Sequence, residues 1–218
     1  MRPRTGASPG SPTPVARAGL SPAAVTEEAA RVCDEEGFDR LSLAAVAKRC
    51  GVAVPSLYKH VGGLEALRRE VATAAAAEFA RVLGDAAIGR SGADALRAVA
   101  RAYRDYARTR PGRYAALQQA PRPEEDEEAA AVFYRSVEVL ASILAGFGLP
   151  DEALIDVIRW LRGTLHGFVD LELRGGFGLP QSVDGSFEVV VEALVRSLRE
   201  WPHAGGFEQG PGGAAEPG

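Results

Sequence analysis

The sequence predicts an all-α protein. Apolar residues recur at intervals of three and four along most of the chain. Each such run opens on a capping residue and closes on glycine or proline, and no segment alternates in the period-two manner of a half-buried strand. With 218 residues, 46% hydrophobic and 25% charged, the composition excludes a collagen-like or wholly disordered chain and leaves room for one or two domains with a core.

Ser21-Pro22 opens the first helix, with Ser as N-cap and Pro where a missing N–H does no harm; Val25, Ala29, Val32 and Cys33 follow at helical spacing until Gly37. Ser42 caps a short second helix carrying Leu43, Val46, Ala47 and Cys50 and ending at Gly51. A third begins near Pro55 and is finished by Gly62-Gly63. A fourth runs from Leu64 to about Ala87. Ser91 to Thr109 sets Leu96, Val99, Ala100, Tyr103 and Tyr106 on one face and Arg97, Arg101, Arg104 and Arg108 on the other. After Pro111-Gly112 comes a short segment, Arg113 to Gln119. The acidic run Glu124 to Glu128 opens the next helix, where it complements the helix dipole as a solvated cap. Asp151 to about Arg174 and Ser186 to about Trp201 are the last two helices. Residues 1–19 and 203–218, rich in Pro, Gly and Ala, are expected to be disordered tails.

The longest uninterrupted apolar run, Ala129 to Tyr134, is six residues, against the ~20 a membrane span needs. The first twenty residues have no apolar stretch of the kind a signal peptide carries, so a cytoplasmic location without membrane attachment is expected. Cys33 and Cys50 fall on apolar helix positions and read as small buried hydrophobes. No Ser/His/Asp arrangement, phosphate loop or metal-binding pattern is found among only three histidines, so neither catalysis, a metal nor a cofactor is expected.

Leu43 to Val61, LAAVAKRCGVAVPSLYKHV, carries the functional signal. A helix-turn-helix needs a small residue where its helices cross, here Ala47, and four residues later one that tolerates the left-handed turn, here Gly51. Val46, Cys50, Val52, Leu57 and Val61 are available to lock the two helices together. Such a motif reads double-stranded DNA from the major groove, with Val54, Pro55, Ser56 and Lys59 as groove-facing candidates; a purely structural helical hairpin is the alternative.

The span Pro22 to about Leu67 resembles the N-terminal domain of the tetracycline-repressor (TetR) family of transcriptional regulators: Gly37-Phe38 after the opening helix, Gly51-Val52 in the turn, and Leu57-Tyr58-Lys59-His60-Val61 in the recognition helix. The resemblance implies phosphate contacts from Tyr58 and His60, with Ser42 offering a hydroxyl. An aromatic plug at Tyr58 and a structural histidine at His60 are the alternatives. Many family members carry a lysine at the start of the fourth helix, where this chain has Leu64. Without that grip, affinity is expected to lean on Arg17, Arg40, Lys48 or Arg49, while Arg2, Arg4 and Arg17 form either a minor-groove arm or a tail without a DNA role.

Trp160-Leu161-Arg162-Gly163-Thr164-Leu165-His166-Gly167, followed by Leu171-Glu172 and Gly175-Gly176-Phe177, resembles the Trp–His–Gly (WHG) subtype of TetR C-terminal domains. This implies a DNA-binding domain at 20–66 and a ligand-binding and dimerisation domain at 67–202, joined by a long helix. It also implies a homodimer on a near-palindromic operator, most plainly as a repressor released by an unidentified small molecule. Leu161, Leu165, Phe168, Phe187, Val191, Leu194 and Leu198 are the expected dimer contacts; Tyr103, Tyr106, Leu117, Phe133, Trp160 and His166 are the pocket candidates. His166 and Asp170 have metal-compatible spacing but no third ligand, so His166 reads as a core or interface histidine. The competing reading is a helical small-molecule-binding or scaffold protein of the same fold without specific DNA binding.

The formal net charge of −4 is unevenly spread. Residues 1–70 hold 10 Lys+Arg against 8 Asp+Glu, whereas residues 71–218 hold 15 against 21. Only the N-terminal part is expected to meet a polyanion.

Overall fold

Local capping sets the helix boundaries. The computed structural model describes residues 20–119, 121 and 124–201, so both tails, with Arg2, Arg4 and Arg17, lie outside the described residues. Among these residues it contains helices and no strand: α1 (Pro22–Glu36), α2 (Leu43–Cys50), α3 (Val54–Leu57), α4 (Leu64–Ala87), α5 (Gly92–Thr109), α6 (Pro111–Ala116), α7 (Glu127–Leu144), α8 (Leu154–Leu173) and α9 (Val183–Arg199). Ser21 Oγ accepts from the Ala24 amide at 3.2 Å, and Ser42 Oγ from Ala45 at 3.2 Å. Asp126 caps α7 through the Ala129 amide at 2.9 Å, and the acidic residues around it are exposed, as a solvated cap requires. The last helix begins three residues earlier than the apolar spacing suggests, because Ser182 caps it at the Gly185 amide.

Two apolar cores share α4. Val25, Ala29, Val32 and Cys33 of α1 pack with Val46, Ala47, Leu57 and Val61 against Leu67, Val71 and Ala72 at the start of α4. Further along the same helix, Ala75, Ala76, Phe79 and Leu83 enter the second core with α5, α7, α8 and α9. Fully burying each such leucine or phenylalanine is worth roughly 1.5–3 kcal/mol. The first core therefore extends past residue 66, and it also takes in Ala116 from α6. Cys33 is fully buried, which pushes its thiol up to about 12 and leaves it inert; Cys50 is half-buried.

By length and composition the segment Glu127–Phe147 would suffice to span a bilayer, although no unbroken apolar run in it exceeds six residues. Here it packs along α4 and seats Leu140, Ile143 and Leu144 in the second core.

The arginine face of α5 is tied to α8 and α9, with Arg104 buried and Arg101 and Arg108 exposed. Arg104 is only 6% exposed: it makes a bidentate pair with Glu172 of α8 at 2.7 and 2.6 Å, bonds Asp184 of α9 at 2.6 Å, and lies over the Phe187 ring at 4.8 Å. Arg97 and Arg101 reach Glu192 and Glu188 on α9. These pairs fix α9 across α5, with the apolar stripe of α9 turned into the core.

The joint between the two parts is a backbone contact. A Cβ placed on Gly112, at the start of α6, would fall 2.0 Å from the Cys33 carbonyl and 2.5 Å from the Asp34 nitrogen. The Asp34 carboxylate of α1 accepts from the Arg113 amide at 2.9 Å, so one part of the molecule caps a helix of the other. Burial raises the Asp34 pKa, while the amides of Arg113 and Gly112 and the Arg113 guanidinium pull it back. Arg113 then spans Glu27 of α1 and Glu78 of α4, both at 2.9 Å. Its Nε sits 3.0 Å from Asp34 Oδ2, off the angle of a hydrogen bond.

This contact predicts an unusual sign. Gly→Ala inside a helix ordinarily stabilises by up to ~1 kcal/mol, but Gly112→Ala should cost about 2 kcal/mol because α6 must lift off α1. Urea unfolding followed by circular dichroism should show a lower midpoint with an unchanged slope. A wild-type midpoint would mean that α6 is free to move away.

Candidate nucleic-acid interface and internal cavity

Tight packing beneath α2 and α3 sets what they present outward. Ala47, 3% exposed, lies at the helix crossing, and Gly51 turns the chain in the left-handed region at φ 68°, ψ 29°. The Val52 amide then bonds the Ala47 carbonyl at 3.0 Å. Val46, Leu57 and Val61 are buried; Cys50 and Val52 are half-buried.

The regular recognition helix is shorter than the spacing predicts. It ends at Leu57, and Tyr58-Lys59-His60 form a turn, tightened by the His60 amide on the Leu57 carbonyl at 2.8 Å. Leu57 fills the space between the helices, leaving Tyr58 60% exposed and excluding the aromatic-plug alternative. Pro55 and Lys59 are exposed; Ser42, Val54, Ser56 and His60 are half-buried. The Ser42 hydroxyl already caps α2, and the His60 ring makes no hydrogen bond among the described residues.

Of the nearby cations, Arg49 is already engaged. It bonds Glu28 and Glu35 of α1, each at 2.6 Å, so a phosphate would have to compete with these carboxylates for it. Arg40, Lys48 and Lys59 have no ion-pair partner among the described residues. At Leu64 the helix opens on Gly63 without a side-chain cap, leaving α4's first amides open to an anion.

A cavity of about 200 Å³ lies between α4, α5, α6, α7 and α8. Tyr103, Leu117 and Phe133 line it as expected, with Phe79, Leu83, Tyr114, Leu140 and Arg162. Three expected pocket residues do not line it. Tyr106 turns toward α4, its hydroxyl donating to the Ala75 carbonyl at 3.3 Å, and Trp160 faces the Trp201 ring at 5.8 Å. His166 stands behind the wall, its Nδ1 2.7 Å from Tyr114 Oη. Tyr114 went unrecognised because it lies in a six-residue helix between prolines, too short to show periodicity. A hollow of about 1000 Å³ between α1, α4 and the start of α7 is an open charged groove, lined by Glu27, Glu70, Glu78, Arg69 and Arg113.

Six of the seven expected dimer contacts are core residues of the protomer itself. Leu161, Leu165, Phe187, Val191, Leu194 and Leu198 are each at most 2% exposed, and Phe168, half-buried, packs on Phe187. The most apolar stripe of α8 and α9 closes the chain's own core. Facing outward instead are Ile155, Gly163 and Leu171 on α8 and Val189 on α9.

Comparison with known proteins agrees with this architecture. Residues 25–71 match the family model of bacterial regulatory proteins of the tetR family, and residues 96–194 that of the tetracyclin repressor-like C-terminal domain. The uncharacterized HTH-type transcriptional regulator Rv0681 of Mycobacterium tuberculosis is 37% identical over 175 residues, covering 80% of this chain and 79% of that protein. The similarly described YobS of Bacillus subtilis is 32% identical over 184 residues, covering 84% and 94%. The solved structure of the transcriptional regulator SCO7222, a TetR from Streptomyces coelicolor, superposes with a TM-score of 0.65 at 17% identity, covering 84% of this chain and 99% of that one, which bears on the fold alone. On these relatives and on the matched helix-turn-helix, the chain belongs to the TetR family of DNA-binding transcriptional regulators.

Proposed function

We propose that the chain acts in the cytoplasm as a homodimeric repressor that holds a near-palindromic operator and releases it when a small molecule fills the cavity. The observation that carries the DNA-reading half is the exposure of Tyr58 and Lys59 on a motif locked from beneath by Leu57 and Val61. Val54 and Pro55 are assigned to thymine methyls, Ser56 and Lys59 to base edges or phosphates, and Tyr58, His60 and Ser42 to the flanking backbone. In this reading Trp160, His166 and Gly167 mark the C-terminal domain as the Trp–His–Gly subtype.

The dimer contact is assigned to the outward faces of α8 and α9. Gly163 and Gly167 stand inside a twenty-residue helix, where each costs about 1 kcal/mol relative to alanine. Nothing in the protomer comes within 4 Å of a Cβ built on either, so no internal packing accounts for them. With Ile155, Arg159 and Leu171 they form an i, i+4 ridge; Gly185, Val189, Ala193 and Ser197 form another on α9. Two such ridges suit close approach of the same faces in a twofold mate, which sets the two reading motifs about 34–36 Å apart.

Release is assigned to α6. Tyr114 walls the cavity, while its neighbours Gly112 and Arg113 are clamped to α1, so a ligand that shifts Tyr114, its hydrogen bonds kept, pulls on the DNA-reading part.

Fluorescence anisotropy with the intergenic DNA flanking the gene, at ~150 mM salt, tests the first part. Tyr58→Ala and Lys59→Ala should each weaken binding about tenfold or more, and Lys59→Ala should lower the salt slope by about one. Affinity equal to that for scrambled DNA would favour the scaffold reading. For the dimer, Gly163→Leu should leave helicity intact yet give a monomer by light scattering, at a concentration where the wild type is dimeric. A dimeric Gly163→Leu variant would remove α8 from the interface.

A further inference from the structure

The cavity has a chemical polarity that restricts what fills it. Phe79, Leu83, Phe133 and Leu140 make an apolar chamber, and its volume of about 200 Å³ is little more than one aromatic ring requires; a cavity of ~150 Å³ accepts benzene. Arg162, exposed at the rim, is the one charged residue among the described residues of the lining; no described carboxylate shares it, and the guanidinium has no ion-pair partner among the described residues. An apolar chamber with a single uncompensated positive charge on its wall favours an anionic group on an otherwise apolar guest.

Beside Arg162 stands a hydrogen-bonded chain: Tyr103 Oη is 3.0 Å from Tyr114 Oη, which is 2.7 Å from His166 Nδ1. Each hydroxyl has one proton, so the chain has two senses. If the tyrosines donate toward His166, Tyr103 has no proton left for the cavity. If the Nδ1–H tautomer of His166 donates to Tyr114, and Tyr114 to Tyr103, the Tyr103 hydroxyl donates into the cavity. A guest that accepts hydrogen bonds selects the second sense and gains a donor polarised by two others behind it. Burial holds both tyrosines in the protonated, donating form.

We infer that the cavity binds a small aromatic monocarboxylate, its ring among Phe79, Leu83, Phe133 and Leu140 and its carboxylate between Arg162 and Tyr103. This rests on the ligand-responsive reading above and names the effector class that the site selects.

Benzoate and its neutral isostere benzamide are the probes, titrated calorimetrically into the full-length protein without DNA. Benzoate should bind with a Kd of about 1 mM or tighter, and benzamide at least about tenfold more weakly. Arg162→Gln, at an exposed position where folding is not at stake, should abolish that preference by weakening benzoate alone. Tyr103→Phe should weaken benzoate several-fold while its melting curve reports the fold. Equal affinities for the two probes, no benzoate binding, or an unchanged preference in Arg162→Gln would overturn the assignment. Operator anisotropy with and without benzoate separates the two readings. Binding without DNA release keeps the carboxylate site and removes the α6 coupling; specific DNA binding with no benzoate binding keeps the regulator and removes the carboxylate site.

Discussion

The approach of Gly112 to the α1 backbone is the constraint on which the rest of the molecule turns. With no side chain between them, the first turn of α6 sits against Cys33 and Asp34, close enough for Asp34 to cap it. Any movement of α6 must then either carry α1 along or break a capped, charge-assisted contact in a partly buried site. Arg113 extends the joint to Glu27 and Glu78, so that α1, α4 and α6 meet at a single guanidinium. A side-chain contact could adjust its rotamer to absorb motion; a contact between two backbones has no such slack.

The sharing of α4 between two cores complements that joint. Its first half belongs to the helix-turn-helix core and its second half to the second core, with no break in the helix between Val71 and Ala76. The two parts therefore have two connections of different kinds. One is a continuous helix that can tilt as a rod; the other is a polar clamp that can be pulled. A relative rotation of the parts is defined by the pair of them, which is the geometry a two-state switch needs.

How much of this could be read from the sequence depended on how local each signal was. Ser21, Ser42, Gly37 and Gly51 act within one helical turn, and the structure has the helix ends they predict. The helix-turn-helix was legible for the same reason, since Ala47, Gly51 and Leu57 lie within eleven residues. Choosing which face of α8 and α9 looks outward needs tertiary information. The richest apolar stripe marks a buried face but not what buries it, and here Leu161, Leu194 and Leu198 serve the chain's own core. The outward ridges consist of glycine, alanine, serine and a few exposed apolar residues, a pattern that carries almost no hydrophobic signal. The pairing of Arg49 and Arg104 was illegible for a related reason: a cation's carboxylate partner can lie fourteen to eighty positions away, so its availability is not a property of its own segment. Tyr114 was lost to the shortness of α6.

The weakness of the single DNA-reading surface follows from these pairings and bears on how such a protein is switched. Arg49 is paired with α1, position 64 carries an uncharged leucine, and Arg40, Lys48 and Lys59 are neighbouring cations without ion-pair partners among the described residues. Each phosphate neutralised adds to both affinity and salt dependence, so a half-site held by so few contacts binds poorly alone. In the proposed homodimer, tight binding then depends on two copies engaging at once, with the second held at high effective concentration by the first. That advantage is lost when the spacing no longer fits two half-sites, even if every individual contact survives. On the proposed reading, a regulator built from weak halves is released by a small change in spacing, the displacement assigned to α6 through its clamp on α1 at Gly112.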